Sequence, residues 1–180
     1  MDKEEKLIEG CLAGKRKAQN ELYLRFSPQL FGICLRYASN RSEAQDMLQE
    51  GFIKIFSSLS SFKGNGSFEG WMKRIMINNA LNHIRINTKQ QLFSDFSEVE
   101  NIADIPSEVD DAKPPPDTET MLLLIQGLPE GYRMVFNLYV FEDYTHREIA
   151  EEAGISENTS KTQLMRARNL LQKKISALKQ

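Results

Sequence analysis

The sequence predicts an all-α protein in which an extended acidic linker joins two small helical domains. Apolar residues recur at helical spacing on both sides of the middle of the chain, and the alternating β-branched runs typical of strands are missing. The middle itself, FSDFSEVENIADIPSEVDDAKPPPDTET, has four prolines among many acidic residues and no sustained period. We therefore expect domains at residues 1–90 and 119–180 and a flexible linker at residues 91–118.

Length and composition exclude several classes of protein. The chain has 180 residues, of which 41% are hydrophobic and 27% are charged, as expected of a soluble globular protein with modest cores. No run of about 18 apolar residues predicts a membrane span, and the acidic N-terminus lacks the plan of a signal peptide. Cys11 and Cys34 match no metal or redox spacing and are expected to be small core residues. A reduced, cytoplasmic setting fits this composition best.

The sequence contains no set of residues that predicts catalysis. Paired carboxylates in a metal-like arrangement, a Gly-rich phosphate-binding loop and a nucleophile with its base are all missing. The two histidines, His83 and His146, are isolated in the sequence. We therefore expect no catalytic residue, no metal ligand, no cofactor and no small-molecule substrate.

Charge is distributed unevenly along the chain. Residues 1–90 carry 14 Lys or Arg against 9 Asp or Glu, residues 91–120 carry 1 against 9, and residues 121–180 carry 8 against 7. From Lys161 onward there are six basic residues and no acidic one. Two basic surfaces beside an acidic middle favour a nucleic-acid partner more than the net charge of −2 suggests.

A helix in the first domain is predicted to begin at Ser42, where Ser42 and Gln45 form a capping-box pattern. At about 100° per residue, one face of this helix is apolar and is expected to pack inward. That face consists of Ala44, Leu48, Phe52, Ile55 and Leu59. The opposite face is polar apart from one isoleucine and consists of Asp46, Gln49, Glu50 and Ile53.

The stretch SFKGNGSFEGWMKRIMINNALNHIR, residues 61–85, sets aromatic rings beside a basic helix that is rich in amides. A helix from Trp71 to Lys89 places a polar stripe opposite an apolar face. The apolar face is Met72, Met76, Ala80 and Ile84, and the polar stripe is Trp71, Arg74, Asn78, Asn82, Arg85 and Lys89. Asparagine is a poor helix former, so its recurrence on one face indicates a function rather than a solvated surface.

Aromatic rings and a glycine loop precede this stripe. The loop carries Lys63, Asn65 and Ser67. Rings stack on unpaired bases, and a loop pocket with one or two rings can hold an extruded base. Phe68 and Trp71 suit the edge of the core and a stacking platform equally, whereas we expect the other nearby rings in the core: Phe52, Phe56 and Phe62.

The C-terminal stretch YTHREIAEEAGISENTSKTQLMRARNLLQKKI predicts a helix-turn-helix motif. Thr145 and Glu148 form a capping box on its first helix, Gly154 permits a left-handed turn, and Ser156 caps the second helix. The inward face of the second helix is Leu164, Ala167, Leu171 and Ile175. The exposed side then carries groups that read base edges and phosphates in duplex DNA: Asn158, Lys161, Thr162, Met165, Arg166 and Arg168. The alternative is a bundle helix with a solvated basic face.

These stretches resemble a known family. SEAQDMLQEGFIKIFSSLSSFKGNGSFEGWMKRIMINNALNHIR resembles region 2 of bacterial RNA polymerase sigma factors, and LPEGYRMVFNLYVFEDYTHREIAEEAGISENTSKTQLMRARNLL resembles their region 4. Because only a short acidic linker lies between them, the chain resembles the extracytoplasmic-function (ECF) group. Gly51 and Ser160 depart from the family pattern, which usually has aliphatic residues there. We expect Ser160 to loosen helix packing or to alter docking on DNA.

The resemblance implies a non-enzymatic initiation factor that binds promoter DNA and core RNA polymerase through its β and β′ subunits. Polymerase would bind the polar face of the Ser42 helix, where Ile53 supplies an apolar contact: Asp46, Gln49, Glu50 and Ile53. The minus-ten element would be held, with one flipped base in the loop, by Lys63, Asn65, Ser67, Phe68, Trp71, Arg74, Asn78 and Asn82. The minus-thirty-five element would be read by Asn158, Lys161, Thr162, Met165 and Arg166, with Arg168 on a phosphate. The linker would thread basic polymerase channels, and an anti-sigma factor, if there is one, would use the same exposed faces.

Two other hypotheses fit parts of the sequence. A dimeric helix-turn-helix regulator with no polymerase role could associate through its terminal helix, at Leu164, Leu171, Ile175 and Leu178. That hypothesis leaves the stripe of rings and amides unexplained. A nucleic-acid enzyme is the third hypothesis, and the missing catalytic set counts against it.

Overall fold

The structure is a computed structural model that describes residues 3–91 and 116–178, with side chains described for residues 3–85 and 116–178. Contacts divide the chain into two compact units, residues 1–83 and 84–180. Within the described ranges there are eight α-helices, one 3-10 turn and no strand, which confirms the predicted all-α class. Of the predicted linker, only residue 91 and residues 116–118 fall inside the described ranges.

Short connections join consecutive helices on either side of residues 92–117, which lie between α4 and α5. The first unit contains α1 (Lys3–Leu12), α2 (Arg16–Tyr37), α3 (Arg41–Ser58) and a 3-10 turn (Leu59–Ser61). The unit boundary falls within α4 (Phe68–Gln91). The second unit contains α5 (Thr118–Gln126), α6 (Glu130–Val140), α7 (His146–Ala153) and α8 (Glu157–Leu178). As far as the structure describes these helices, none has the length and apolar character that crossing a membrane requires.

In the first unit, α2 packs against both α1 and α3. The predicted apolar face of α3 is buried throughout, at Ala44, Leu48, Phe52, Ile55 and Leu59. Cys11 and Cys34 are free thiols in this core, as predicted. Burial raises the pKa of Cys34 to about 12, so this thiol stays protonated and behaves as a small apolar side chain.

The start of α3 differs from the prediction. The cap is Asn40, whose side-chain oxygen accepts the Glu43 backbone N–H at 3.0 Å. The Glu43 carboxylate in turn accepts the Ser39 backbone N–H at 2.7 Å. Ser42 therefore lies inside the first turn, and the predicted box with Gln45 is wrong because an amide two residues earlier already satisfies the free N–H groups.

The helix α4 begins three residues before the predicted Trp71. The Ser67 hydroxyl accepts the Gly70 N–H at 3.0 Å, and the Ser67 carbonyl accepts the Trp71 N–H at 3.1 Å. Ser67 thus performs the capping role, which fixes where the glycine loop ends. In the first turn Glu69 pairs with Lys73 at 2.7 Å.

In the second unit, α6 packs against α7 and α8, and α5 packs against α8. Arg133 of α6 is only 2% exposed and lies within this core. Its guanidinium donates to the carbonyl oxygens of Gln126 at 2.6 Å and Leu128 at 3.2 Å, where α5 ends. The buried cation therefore satisfies helix-end carbonyls. Sequence reasoning missed it because nothing in the local pattern distinguishes it from a surface arginine.

The helix-turn-helix forms as predicted. The Glu148 carboxylate accepts the Thr145 backbone N–H at 2.8 Å, and the Thr145 hydroxyl accepts the Glu148 N–H at 3.3 Å. Gly154 ends α7 with φ of 68°, in the left-handed region. The Ser156 hydroxyl accepts the Thr159 N–H at 3.0 Å and caps α8.

Candidate polymerase and DNA interfaces

One face of α3 is exposed and mixes polar groups with an apolar side chain. Asp46, Gln49 and Glu50 are all exposed, and Ile53 beside them is 68% exposed. A large aliphatic residue so open to solvent, surrounded by hydrogen-bonding groups, is typical of a contact surface. The four residues that the sequence assigned to polymerase therefore lie on an accessible face.

Glu50 has a partner that the sequence did not predict. His83 Nε2 of α4 lies 2.7 Å from Glu50 Oε2, with half of the Glu50 side chain open to solvent. His83, which is isolated in the sequence, therefore has a partner in the fold. The two residues are far apart in the chain, so only the packing of α3 against α4 brings them together.

Four aromatic rings meet where the glycine loop enters α4. Phe68 is at the centre: its ring stacks on Trp71 at 5.7 Å and contacts Phe62 at 5.1 Å and Phe26 at 5.9 Å. Only 1% of Phe68 is exposed. Its ring therefore lies beneath the surface, and the expectation that it offers a stacking platform is corrected: Phe68 supports Trp71 from below.

Trp71 occupies the outer position of this cluster. It is half-buried and also contacts Phe62, with the ring centroids 5.5 Å apart. The loop beside it turns at Gly64 and Gly66, whose φ angles are +72° and +100°. These conformations favour glycine, and Lys63 and Asn65 of the same loop are exposed.

The predicted division of α4 into two faces is observed wherever side chains are described. Its inner face is buried at Met72, Met76, Ala80 and Ile84, and its outer face is exposed at Arg74, Asn78, Asn82 and Arg85. The side chain of Lys89, the last residue of the predicted stripe, lies outside the described residues.

Asn79, next to the predicted Asn78, has a structural role that sequence reasoning missed. It is 1% exposed, its amide donates to the Met47 carbonyl of α3 at 2.9 Å, and its oxygen accepts from Lys54. Asn78 and Asn79 are therefore neighbours in sequence with opposite surroundings. Asn79 fastens α4 to α3, and Asn78 faces solvent.

The second helix of the helix-turn-helix presents the predicted set. Asn158, Lys161, Thr162, Met165 and Arg168 are exposed, and Arg166 is half-exposed. Met165 leaves 47% of its apolar side chain open, which suits contact with a thymine methyl group. The Thr162 hydroxyl donates to the Asn158 carbonyl at 2.9 Å, so in this structure it is engaged within its own helix.

Ser160 does not loosen the packing of this helix. It is fully buried, and its hydroxyl lies 2.9 Å from His146 Nδ1 at the start of α7. A buried hydroxyl with a partner costs little, so the departure from an aliphatic residue is compensated within the motif. His146, isolated in the sequence, is thus a structural partner of Ser160, and burial together with nearby Lys161 lowers the pKa of His146.

The described residues contain no group of three or more His, Cys, Asp or Glu placed to hold a metal ion. The first unit presents two exposed hydrogen-bonding surfaces, on α3 and α4, and the second unit presents the basic side of α8.

Two family models match this chain, one in each unit for most of its length. The family model described as Sigma-70 region 2 matches residues 22–90, and the model described as Sigma-70, region 4 matches residues 118–171. The chain belongs to the sigma-70 family of RNA polymerase sigma factors.

Similar proteins of this family extend over nearly the whole chain. It is 29% identical over 185 residues to the RNA polymerase sigma-H factor of Pseudomonas aeruginosa, covering 98% of this chain and 96% of that protein. It is 29% identical over 181 residues to the ECF RNA polymerase sigma-E factor of Haemophilus influenzae, covering 96% and 95%. These relatives confirm the predicted likeness to the ECF group.

A solved structure shares the fold of this sigma factor. The sigma factor RpoE from Bartonella quintana, in complex with the anti-sigma factor NepR, aligns with a TM-score of 0.51 at 21% identity. The alignment covers 86% of this chain and 94% of that chain. At this identity the likeness supports the fold alone.

Proposed function

We propose that this sigma factor directs promoter-specific initiation by dividing three contacts among three surfaces. The exposed face of α3 binds core RNA polymerase, the outer face of α4 with its loop holds opened minus-ten DNA, and α8 reads the minus-thirty-five duplex. The observation that carries the proposal is the sharp division of α4, which buries Met72 and Met76 and exposes Arg74, Asn78, Asn82 and Arg85.

The polymerase contact rests on the open α3 face. Ile53 supplies exposed apolar area at one end of this face, and Asp46, Gln49 and Glu50 supply hydrogen-bond acceptors and charge along the rest of it. Protein interfaces commonly combine an apolar contact with bordering polar groups. The partner surface that fits it is therefore basic and contains an apolar site, and we assign this surface to the β and β′ subunits.

The minus-ten contact rests on Trp71 and the stripe behind it. A half-exposed ring supported by buried Phe68 can stack on an unpaired base, which contributes about 1–3 kcal/mol. The loop that precedes α4 adds Lys63 and Asn65, both exposed, to this contact. Ser67 contributes by capping α4, and the strand then runs along Arg74, Asn78 and Asn82.

The minus-thirty-five contact rests on the exposed side of α8. Lys161, Met165 and Arg166 follow the helix cap at the end that enters the major groove in helix-turn-helix proteins. Asn158 and Thr162 lie on the same exposed side, and Arg168 reaches a phosphate. Each good bidentate base contact discriminates by about 1–3 kcal/mol.

This division assigns residues 1–90 to polymerase and minus-ten binding and residues 119–180 to minus-thirty-five binding. Residues 91–118, with their acidic composition, cross the polymerase between the two. The protein acts without a cofactor or chemistry of its own, in the cytoplasm where polymerase works. An anti-sigma factor, of the kind bound to the Bartonella quintana structure, would compete for the α3 face.

A dimeric regulator without a polymerase role is less well supported. It would use α8 and its terminal leucine, but it gives no purpose to the exposed Ile53 or to the α4 stripe. Residues 22–90 also match a sigma-factor region, which such a regulator does not need.

Co-elution with purified core RNA polymerase tests the polymerase contact. We expect a one-to-one complex that Glu50→Lys weakens at least tenfold, because a cation replaces an acceptor on the interface. Glu9→Lys is the matched control, since Glu9 is an exposed glutamate on α1, and it should bind as the unchanged protein does. Failure to form any complex with core polymerase would favour the dimeric regulator.

Permanganate reactivity of promoter thymines tests the DNA contacts in the holoenzyme. Trp71→Ala should reduce strand opening while leaving duplex binding nearly unchanged, because the ring is needed only when bases are unpaired. Arg166→Ala should instead relax upstream sequence preference. Equal losses of duplex binding in both variants, with normal opening, would contradict this division.

A further inference from the structure

A chain of four side chains runs beneath the basic surface of the helix-turn-helix. Ser160 Oγ lies 2.9 Å from His146 Nδ1, and the His146 ring stacks on Tyr139 with centroids 4.8 Å apart and planes 26° apart. The Arg168 guanidinium lies over the Tyr139 ring at 5.5 Å. The chain thus joins α6, α7 and α8, and it ends on an exposed cation.

Two contacts in this chain restrict parts of α8 that the proposed function assigns to DNA: the end that carries Lys161, and the side chain of Arg168. Ser160 lies in the first turns of α8, next to Lys161, and its hydroxyl is fully buried. Losing its partner would leave a buried polar group unpaired, so the bond fixes how this end of α8 sits against α7. Arg168 is long and exposed, and stacking on a ring reduces the number of conformations it samples.

We propose that His146 is a positioning residue of the upstream DNA surface, setting the N-terminal end of α8 through Ser160 and the Arg168 guanidinium through the Tyr139 ring. The inference rests on the proposed function, because it takes Lys161 and Arg168 to be DNA contacts. It goes beyond that function in giving roles to His146, Ser160 and Tyr139, none of which need touch DNA.

The charges around His146 give the proposal a signature that packing alone lacks. Burial lowers the pKa of His146, Lys161 and Arg168 of α8 lower it further, and Glu157 of α8 opposes them. From α6 the facing group is Tyr139. Phosphates that neutralise the two cations would raise the pKa of His146, so binding takes up a proton and tightens as pH falls.

The test measures anisotropy of a labelled short duplex, selected from a randomised pool by the full-length chain. His146→Asn keeps a polar atom near Ser160 but loses the stack and the titration, and we expect several-fold weaker binding. Tyr139→Leu should weaken binding similarly, whereas Tyr139→Phe keeps the ring and should bind normally. Circular dichroism of each variant establishes that it is folded.

A double-mutant cycle separates positioning from general stability. In an Arg168→Ala background, Tyr139→Leu should cost less than it does alone, because the residue it orients is gone. Arg168→Ala should also reduce the slope of log affinity against log salt concentration by about 1, the value for one lost phosphate contact. His146→Asn should leave this slope unchanged. Additive losses at Tyr139 and Arg168 would overturn the proposal.

The pH arm gives the second readout. Affinity of the unchanged protein should rise as pH falls from about 7.5 to about 6, by at most tenfold for each unit that DNA raises the His146 pKa. His146→Asn should lack this component, and the same pH dependence in both proteins would overturn the proposal.

Two variants separate this proposal from the proposed function. If Lys161→Ala and Arg168→Ala both bind normally, the proposed upstream contact itself fails. If those two variants bind weakly while Tyr139→Leu binds normally, only the positioning role is rejected.

Discussion

Gly51 of α3 faces Met76 of α4 so closely that a Cβ at position 51 would lie 2.3 Å from the Met76 sulfur and 2.4 Å from its methyl carbon. Met76 is fully buried, so its terminal atoms occupy the space that a side chain at position 51 would fill. Glycine at position 51 thus makes room for the end of the Met76 side chain. Gly51 and Met76 therefore pack as a pair.

Gly51→Ala is therefore expected to destabilise the first unit. Overpacking costs about 1–3 kcal/mol, and the preference of a helix for Ala over Gly offsets about 1 kcal/mol of this. We expect a net loss of about 1 kcal/mol in the free energy of unfolding. Trp71 is the only tryptophan in the chain and contacts buried Phe68, so its fluorescence during urea unfolding reports on this unit.

The control for this prediction is the same substitution in a Met76→Ala background. With the sulfur removed, the added methyl meets no obstacle, and Gly51→Ala should become neutral or stabilising. An equal loss in both backgrounds would show that contact with Met76 is not the cause.

Features that local signals determine were predictable from the sequence. The capping box at Thr145, the left-handed Gly154 and the two faces of α4 each depend on residues within a few positions of one another. Local hydrogen bonds and the helical period fix such features before tertiary packing intervenes.

Features that depend on distant partners were not predictable. Glu50 with His83 and Ser160 with His146 are pairs that only packed helices bring together, so both histidines looked isolated. Phe68 follows the same logic: its spacing allowed either an exposed or a buried ring, and contact with Phe26 of α2 decides for burial. Periodicity gives the direction of a side chain but not what it meets.

The neighbours Asn78 and Asn79 should separate function from stability. Asn79→Ala removes the donor to the Met47 carbonyl and the acceptor of Lys54 inside the unit, and we expect a loss of about 1–3 kcal/mol in unfolding free energy. Asn78→Ala, on the exposed face, should change stability by less than about 0.5 kcal/mol. Urea unfolding followed by Trp71 fluorescence measures both.

The same two variants should reverse their order in transcription. Asn78→Ala should lower strand opening by the holoenzyme at saturating concentration, because a DNA contact is missing while the fold is intact. Asn79→Ala should open DNA normally at temperatures where it stays folded. Normal opening by Asn78→Ala would remove Asn78 from the minus-ten surface.

The capping box of α7 should make the helix-turn-helix sensitive to acid. Hydrogen bonds from the Thr145 backbone N–H and then from its hydroxyl lower the pKa of Glu148 below its usual 4.5. A lowered pKa means that the carboxylate contributes stability that is fully present above about pH 4.5 and is lost as pH falls through the folded-state value.

Hydrogen exchange of the Ile149 amide, which donates to the Thr145 carbonyl at 2.9 Å, reports on this turn. Glu148→Gln should remove the acid-dependent part of its protection, and Thr145→Ala should lower protection near neutral pH by about fivefold, equivalent to about 1 kcal/mol. Ser156→Ala, which removes the cap of α8 instead, is the matched control, and an equal loss at Ile149 in that variant would show that the Thr145 box does not hold α7 by itself.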